Sequence, residues 1–302
     1  MTFQCIIDFI NLTEAKDIYF KGCTFHEDVV FEKLQFKNFF IFEDCTINKN
    51  ITFQNMTFNK TTSFIQTKFL GEFNLIHTRF DDLALFNEAE IKKLRLDNTF
   101  FNKEASFLDI TVHELDRETA RIIKHSFEKQ GNIIESNKFY AKEMEERSLE
   151  LEKEVNNKDK RNLKSFTDYF IFKIHGITSN HSQDWFLALM WIINLSILFT
   201  HFDFFIIGDR TEYYIIPFIL NIILTIMIVF DFNNFIKLIW TFLSYLIYIY
   251  ITSDFVLECA VNNFNPFKKI TDITLPELLF KVIIAYLIYH LIVSIRQNTR
   301  RK

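Results

Sequence analysis

Every eleventh residue from position 9 carries a large apolar side chain: Phe9, Phe20, Phe31, Phe42, Phe53, Phe64, Leu75 and Phe86. A second ladder, offset by five, runs through Phe25, Phe36, Ile47, Phe58, Phe69, Phe80 and Ile91. Together they advance in steps of five and six and finish at Leu96, Phe101 and Phe107. Even in a chain with 38 Phe among 302 residues, the first ladder arises by chance less than about once in a thousand. Two residues before each ladder position stands another small or apolar side chain, as at Cys23, Val29, Leu34, Cys45, Thr67, Thr78, Ala84 and Ala89. Residues two apart on an extended chain point to the same side, so each unit sends two side chains inward and gives the others to a turn. An α-helix does not explain this, because residues five or six apart fall on its far side. The pattern predicts a parallel β-solenoid in which like residues stack from coil to coil. Its expected core includes Phe20, Phe25, Phe31, Phe36, Phe42, Phe53, Phe58, Phe64, Phe69, Phe80 and Phe86.

The unit seen in Cys23-Thr24-Phe25, Thr67-Lys68-Phe69 and Ala89-Glu90-Ile91 resembles the pentapeptide-repeat family. The resemblance covers residues 9–107. It implies a right-handed, four-sided β-helix whose core is filled by central Leu or Phe and by small residues. The six-residue step and the bulky partners Phe40 and Phe73 depart from that family and predict widened coils. Four faces of 5, 6, 5 and 6 make a 22-residue coil, so about four and a half coils fit. Some members of the family mimic DNA with acidic faces and engage topoisomerases. Residues 1–110 carry 16 acidic and 12 basic side chains, with Lys92, Lys93 and Arg95 clustered, a field too mixed for a DNA mimic. The whole chain, at net charge −4, gives no reason to expect a nucleic-acid partner.

Four cysteines, Cys5, Cys23, Cys45 and Cys259, form no CxxC and no zinc-ligand spacing. Cys23 and Cys45 read as small core residues rather than a disulfide. The start, MTFQCIIDFINLTEAKD, has no basic n-region or small-residue cleavage site, so the first half is expected to stay in the cytosol.

After position 109 the period becomes helical. Residues 113–130 (HELDRETARIIKHSFEKQ) space Ala120, Ile123 and Phe127 by three and four. Gly131 stops this helix, and Asn132 with Glu135 opens the next. That second helix runs through Phe139, Tyr140 and Met144 to about 157, with Glu143 and Arg147 as an i,i+4 pair. The stretch resembles the helical pair that follows pentapeptide repeats in bacterial membrane proteins. Its charge run at 145–161 reads as a solvated face, or as a stalk that binds a partner.

The second half is apolar. Residues 185–207, 213–230, 235–251 and 278–295 form four expected spans, the second and third joined by a polar turn at Asp231, Asn233 and Asn234. Trp185, Trp191 and Trp240 are placed near span ends, and Lys281 can snorkel. Lys158, Lys160, Arg161, Lys164 and Lys173 precede the spans, and Arg296, Arg300, Arg301 and Lys302 follow them. Only Arg210, Lys268 and Lys269 fall in the first and third loops. Both termini are therefore expected in the cytosol, which requires an even number of spans. Phe166, Tyr169, Phe170, Ile174 and Ile177 predict a short amphipathic helix on the membrane surface.

The expected domains are a β-solenoid over 1–110, a helical hairpin and charged stalk over 111–157, a juxtamembrane segment over 158–182 and a four-helix transmembrane domain over 183–302. Five isolated glycines leave no phosphate-binding loop. There is no GxSxG or HExxH motif, and the third loop has no glycine for a potassium filter. No catalytic, cofactor or metal site is expected. His290, inside the fourth span, is the one intramembrane candidate, set against the plainer reading of a neutral imidazole hydrogen-bonded between helices. Asp203, Asp231 and His201 read as markers of span ends. Asn194, Asn221 and Ser294 read as interhelical hydrogen-bonding groups. The expected function is a non-enzymatic scaffold, anchored as a multi-pass protein in a bacterial inner membrane, that meets membrane lipid and recruits a protein partner or a second copy. The alternative is a transporter or channel regulated by its solenoid.

Overall fold

The computed structural model describes residues 2–3, 7–10, 17–157, 162–207, 211–230, 233–252, 265, 267 and 275–299. Contacts divide the chain into two compact units, Met1–Lys153 and Glu154–Lys302.

The first unit is a parallel β-solenoid of about four turns. Every strand pair among the described residues is parallel, and paired residues are separated by one coil: Phe31, Phe53 and Leu75 stack on one face, and Phe36, Phe58 and Phe80 on another. Phe20 lies beside Phe42, and Phe40, Thr62 and Ala84 form a further column. Each step of one coil is 22 residues in these columns. Rings meet rings along the stack, with Phe31 and Phe53 parallel at 4.7 Å and Phe58 and Phe80 at 4.9 Å. Bulky and small partners share coils: the column Ile18, Phe40, Thr62 and Ala84 carries its ring at Phe40, and Phe73 stands in the coil of Thr62. That exchange of volume lets two oversized side chains fit a repeating interior.

The alternation of five and six has a backbone cause. Gly22, Lys33, Asp44, Asn55, Gln66, His77, Glu88, Asn98 and Asp109 all have φ between 49° and 59°. These left-handed residues fall inside the five-residue steps, where one such residue turns the chain sharply. The six-residue steps turn through three residues without it. Where the residue after a sharp corner is Cys or Thr, its side chain also hydrogen-bonds. Thr67 Oγ1 donates to the Phe42 carbonyl at 2.8 Å, Thr78 Oγ1 to Phe53 at 3.2 Å, and Cys45 Sγ approaches the Phe20 carbonyl at 3.4 Å. Cys23 and Cys45 are buried free thiols, and burial pushes the Cys45 thiol up to about 11. Cys5 and Cys259 lie outside the described residues.

The last coil is one residue short. Phe69 pairs with Ile91 across 22 residues, but Phe73 pairs with Leu94 across 21, with the register shift between Phe69 and Glu72. Gly71 lies at this shift, and a Cβ there would run into the Lys49 carbonyl. Backbone cannot swing aside as a side chain can. Gly71→Ala should therefore lower solenoid stability by about 1–3 kcal/mol, measured as a loss in thermal midpoint. A variant that melts with the parent would show that this corner is slack.

Two helices close the end of the rod. Residues 113–115, expected to begin a helix, instead extend the strand Thr111–Leu115 on Glu90–Leu94. Asp116 then caps α1 (Arg117–Lys129), its carboxylate accepting from the Thr119 N–H. Gly131, φ 71°, ends the turn, and Asn132 Oδ1 caps α2 (Ile133–Asn156) by accepting from the Glu135 N–H. Ile123, Phe127 and Phe139 join the solenoid core. Gln130 Nε2 and the Ser126 hydroxyl donate to the Ala105 carbonyl, and Thr119 Oγ1 accepts from the Leu96 N–H at 3.0 Å. Glu143 takes a 2.7 Å ion pair with Lys124 of α1, and Arg147 reaches Glu150 at 3.1 Å. The expected partner of Glu143 within its own helix gives way to one across the hairpin.

The second unit comprises α3 (Leu163–Ser179), α4 (Trp185–Ile207), α5 (Thr211–Val229), α6 (Asn234–Thr252) and α7 (Leu275–Thr299). Among the described residues one helix, Leu275–Gln297, is long and apolar enough to cross a membrane. The apolar stretches Trp185–Thr200, Phe218–Val229 and Asn234–Ile247 are shorter. Met190, Trp191, Leu224, Ile228, Phe280 and Leu287 belong to the core of this unit.

Candidate functional site

The ladder residues account for the solenoid interior. Phe25, Phe31, Phe36, Phe42, Phe53, Phe58, Phe64, Phe69, Phe80 and Phe86 are at most 1% exposed, and Phe20 is half-buried. None carries chemistry. The polar concentration lies in the second unit, at the junction of α3 and α4.

Asn162 and Ser165 open α3 with a reciprocal capping box, their side chains each accepting from the other's backbone N–H at 2.7 and 3.0 Å. The helix ends at Asn180, whose N–H returns to the Gly176 carbonyl, while the His181 N–H returns to the His175 carbonyl. Asn180, His181 and Ser182 all have positive φ, at 46°, 53° and 64°. This left-handed turn folds the His181 ring back over α3. There it lies 4.2 Å from the Phe172 ring, and a Cβ at Gly176 would stand 3.1 Å from His181 Nε2. Asp184 then caps α4, accepting from the Leu187 N–H at 3.0 Å.

The turn assembles a chain of polar side chains. His175 Nδ1 lies 3.0 Å from His181 Nδ1, and His175 Nε2 lies 3.3 Å from Ser182 Oγ. Ser182 Oγ lies 3.1 Å from Nδ1 of His290 on α7. His181, Ser182 and His290 are 9%, 5% and 5% exposed. Trp191 Nε1 donates to the Ile177 carbonyl at 2.9 Å, and Gln183 Nε2 donates to Gln297 Oε1 at 3.1 Å. The three imidazoles do not make a metal set. A zinc ion gathers its nitrogens around one point at about 2.0–2.1 Å, whereas here ring nitrogens pair with one another and with the hydroxyl.

Burial, with the neighbouring His175 and Lys173 charges added, pulls the His181 pKa down to about 4. Burial also lowers that of His175. Both folded values fall below the unfolded histidine value near 6.5. Between about pH 4 and 6.5 the unfolded chain therefore binds more protons, and stability rises with pH. The contribution of His181 is present in full above pH 6.5 and lost as pH falls toward 4, by at most about 3 kcal/mol. The full chain in micelles should melt at progressively lower temperature from pH 7 to 4, and His181→Gln should flatten that slope. A pH-independent midpoint in the parent would contradict the buried neutral cluster.

Elsewhere, Asn194 Nδ2 of α4 donates to Thr225 Oγ1 of α5 at 2.8 Å. Asn221 and Ser294 are fully buried. In α3, Phe166, Phe170 and Ile177 are exposed, Tyr169 and Ile174 are half-buried, and Lys173 Nζ lies over the Tyr169 ring at 5.5 Å. The side chains of His201 and Asp203 and the whole of Asp231 lie outside the described residues. Sequence reasoning singled out His290 but missed His175, His181 and Ser182. The available signal was the polar run Thr178-Ser179-Asn180-His181-Ser182-Gln183-Asp184 between two apolar helices.

No family model matches the chain, and neither a curated protein nor a solved structure is similar enough to count as a match.

Proposed function

We propose that this protein is a membrane-anchored scaffold of the pentapeptide-repeat type, whose solenoid, of right-handed four-sided form, presents a binding face to a protein partner on the cytosolic side of a bacterial inner membrane. The observation that carries this reading is an outward apolar stripe on one face of the rod. Tyr19, Ile41 and Leu85 share one outward column, with the buried Ser63 between the last two, and Phe39 and Leu83 stand immediately before the same strands. Tyr19 is 62% exposed and Phe39 45%. An aromatic-rich stripe with polar neighbours is the composition of a protein-binding surface.

The anchor is read as four spans built from α4, α5, α6 and α7, with both termini cytosolic. Their helix lengths of 23, 19, 19 and 25 residues support this. So does the outward apolar surface of α6 and α7, where Phe235, Phe242, Tyr250, Val282, Tyr289 and Ile292 are all at least 60% exposed. A surface of that kind is costly in water and ordinary in lipid. A photo-crosslinking residue placed at Ile41 in intact cells should capture a discrete partner, and Leu85→Glu should abolish the product without moving the thermal midpoint. Equal, diffuse products from Ile41 and from Thr52, whose strand Ile51–Gln54 belongs to another sheet, would remove the scaffold reading.

The alternative, a conduit regulated by the solenoid, has its own support. Asn194 Oδ1, Ser196 Oγ and Ser244 Oγ are buried without a hydrogen-bond partner among the described residues, and Lys237 is 1% exposed. Solute or ion flux from liposomes holding the purified chain, lost in His290→Ala, would favour the conduit over the scaffold.

A further inference from the structure

Ser182 stands between two imidazoles, one of which is itself held by a third. A neutral imidazole has one N–H donor and one bare nitrogen, and a hydroxyl has one proton. With neutral rings, the three contacts are all filled by a chain that runs in a single direction. In one polarity His290 Nδ1–H donates to Ser182 Oγ, Ser182 O–H donates to His175 Nε2, and His175 Nδ1–H donates to His181 Nδ1. In this polarity the bare nitrogen of His175 faces the hydroxyl proton, while its other nitrogen is tied to an acceptor that steadies the imidazolium formed on proton transfer. Nucleophile, base and orienting group are then in sequence, at 3.3 and 3.0 Å. His290 donates to Ser182 Oγ and holds the hydroxyl in line with His175.

Two further observations bear on the same residue. Ser182 ends a run of three consecutive non-glycine residues with φ of 46°, 53° and 64°, beginning at the left-handed C-cap Asn180. That turn is what brings the Ser182 hydroxyl back against His175 of α3. α3, α4 and α7 border an open apolar groove of about 480 Å³, lined by Ile174, Ile177, Trp191, Leu195, Ile283 and Tyr286 but not by Ser182 or the three histidines. Tyr286 belongs to both features, since its ring also lies 4.3 Å from that of His290.

We propose that Ser182 is an activated nucleophile for acyl transfer, with His175 as general base, His181 as its positioning residue, and a carboxylic ester of a long apolar acid as the substrate class. In the first step Ser182 Oγ bonds to the acyl carbon and the ester C–O bond breaks. The hydroxyl proton passes to His175 Nε2 and from there to the leaving alcohol oxygen. In the second, His175 takes a proton from water, the hydroxide oxygen bonds to the acyl carbon, and the acid leaves as the proton returns to Ser182. His181 is a neutral acceptor, weaker than a carboxylate, so the serine reacts slowly for its class.

The test uses the full chain in detergent micelles and a long-chain alkyl fluorophosphonate, with peptide mass spectrometry to locate the adduct. One adduct, on Ser182, is expected. His175→Gln should slow its formation by about 10²–10⁴-fold, at an unchanged thermal midpoint. His181→Gln should instead move the midpoint of the pH–rate profile and leave residual labelling. Absence of a Ser182 adduct in the parent protein, while a control serine hydrolase in the same micelles reacts to completion, would overturn the assignment. So would a Ser182 labelling rate that His175→Gln leaves within twofold. Rate loss in His290→Gln alone would transfer the role of base to His290 and overturn the polarity proposed here.

Discussion

Phe53→Ala is expected to destabilise the solenoid by about 3–5 kcal/mol. Phe53 is 0% exposed and its ring meets five others: Phe31 in parallel at 4.7 Å, and Phe40, Phe58, Phe64 and Phe73 at 5.7 to 6.0 Å. Those partners come from the same coil and from its neighbours on both sides. The cavity cannot be filled by a local side-chain shift, because each neighbouring ring is held by its own column. Coils of a solenoid depend on nearest neighbours, so loss at Phe53 should unfold the adjoining coils together. Lys60, at an exposed corner, is the control, and Lys60→Ala should stay within about 0.5 kcal/mol. Circular-dichroism melts of a 1–153 fragment separate the two. Equal and negligible shifts would mean that the ladder is not a core.

The second large effect is expected at Lys124. Its ammonium group pairs with Glu143 at 2.7 Å, with the two side chains only 18% and 12% exposed, and it lies 5.6 Å from the Tyr140 ring centroid. Lys124→Met strips Glu143 of its partner across the hairpin and should cost about 2–3 kcal/mol, toward the lower end of what an orphaned buried charge costs because neither group is fully enclosed. The double variant Lys124→Met, Glu143→Leu should recover most of that loss, because two apolar side chains of similar size leave no charge behind. A double-mutant cycle on urea denaturation gives the coupling. Additive losses would show that the pair is merely a surface contact.

The columns were legible in the sequence because they depend on side-chain identity at a fixed spacing, and Phe declares itself. The corners were not. Lys33, Gln66 and Glu88 occupy left-handed positions that a reader assigns to glycine or asparagine, so the backbone cause of the alternating step is absent from composition. His113, Glu114 and Leu115 carried a helical period, yet the free edge at Glu90–Leu94 drew them into a strand before Asp116 could cap α1. Tertiary pairing outweighed local periodicity there. The histidine cluster was hidden for another reason. Ser182 and His290 are 108 residues apart, and no spacing rule connects them until α4 and α7 are packed.

The spacing of the rod also sets what lengths it can take. A duplicated block of 22 residues, such as 40–61, returns every column to its own face and adds one coil, about 4.8 Å of rise. A duplicated block of 11 preserves the alternation of sharp and wide corners, but it advances the chain by only half a circuit. Everything downstream, α1 and α2 included, would then emerge from the opposite side of the rod. Length and azimuth are thus coupled by the 22-residue coil, and the 21-residue final coil is the one place where the phase is reset, immediately before the helices that seal the end. Variants of such a chain can grow or shrink by whole circuits while keeping the same face toward whatever they meet.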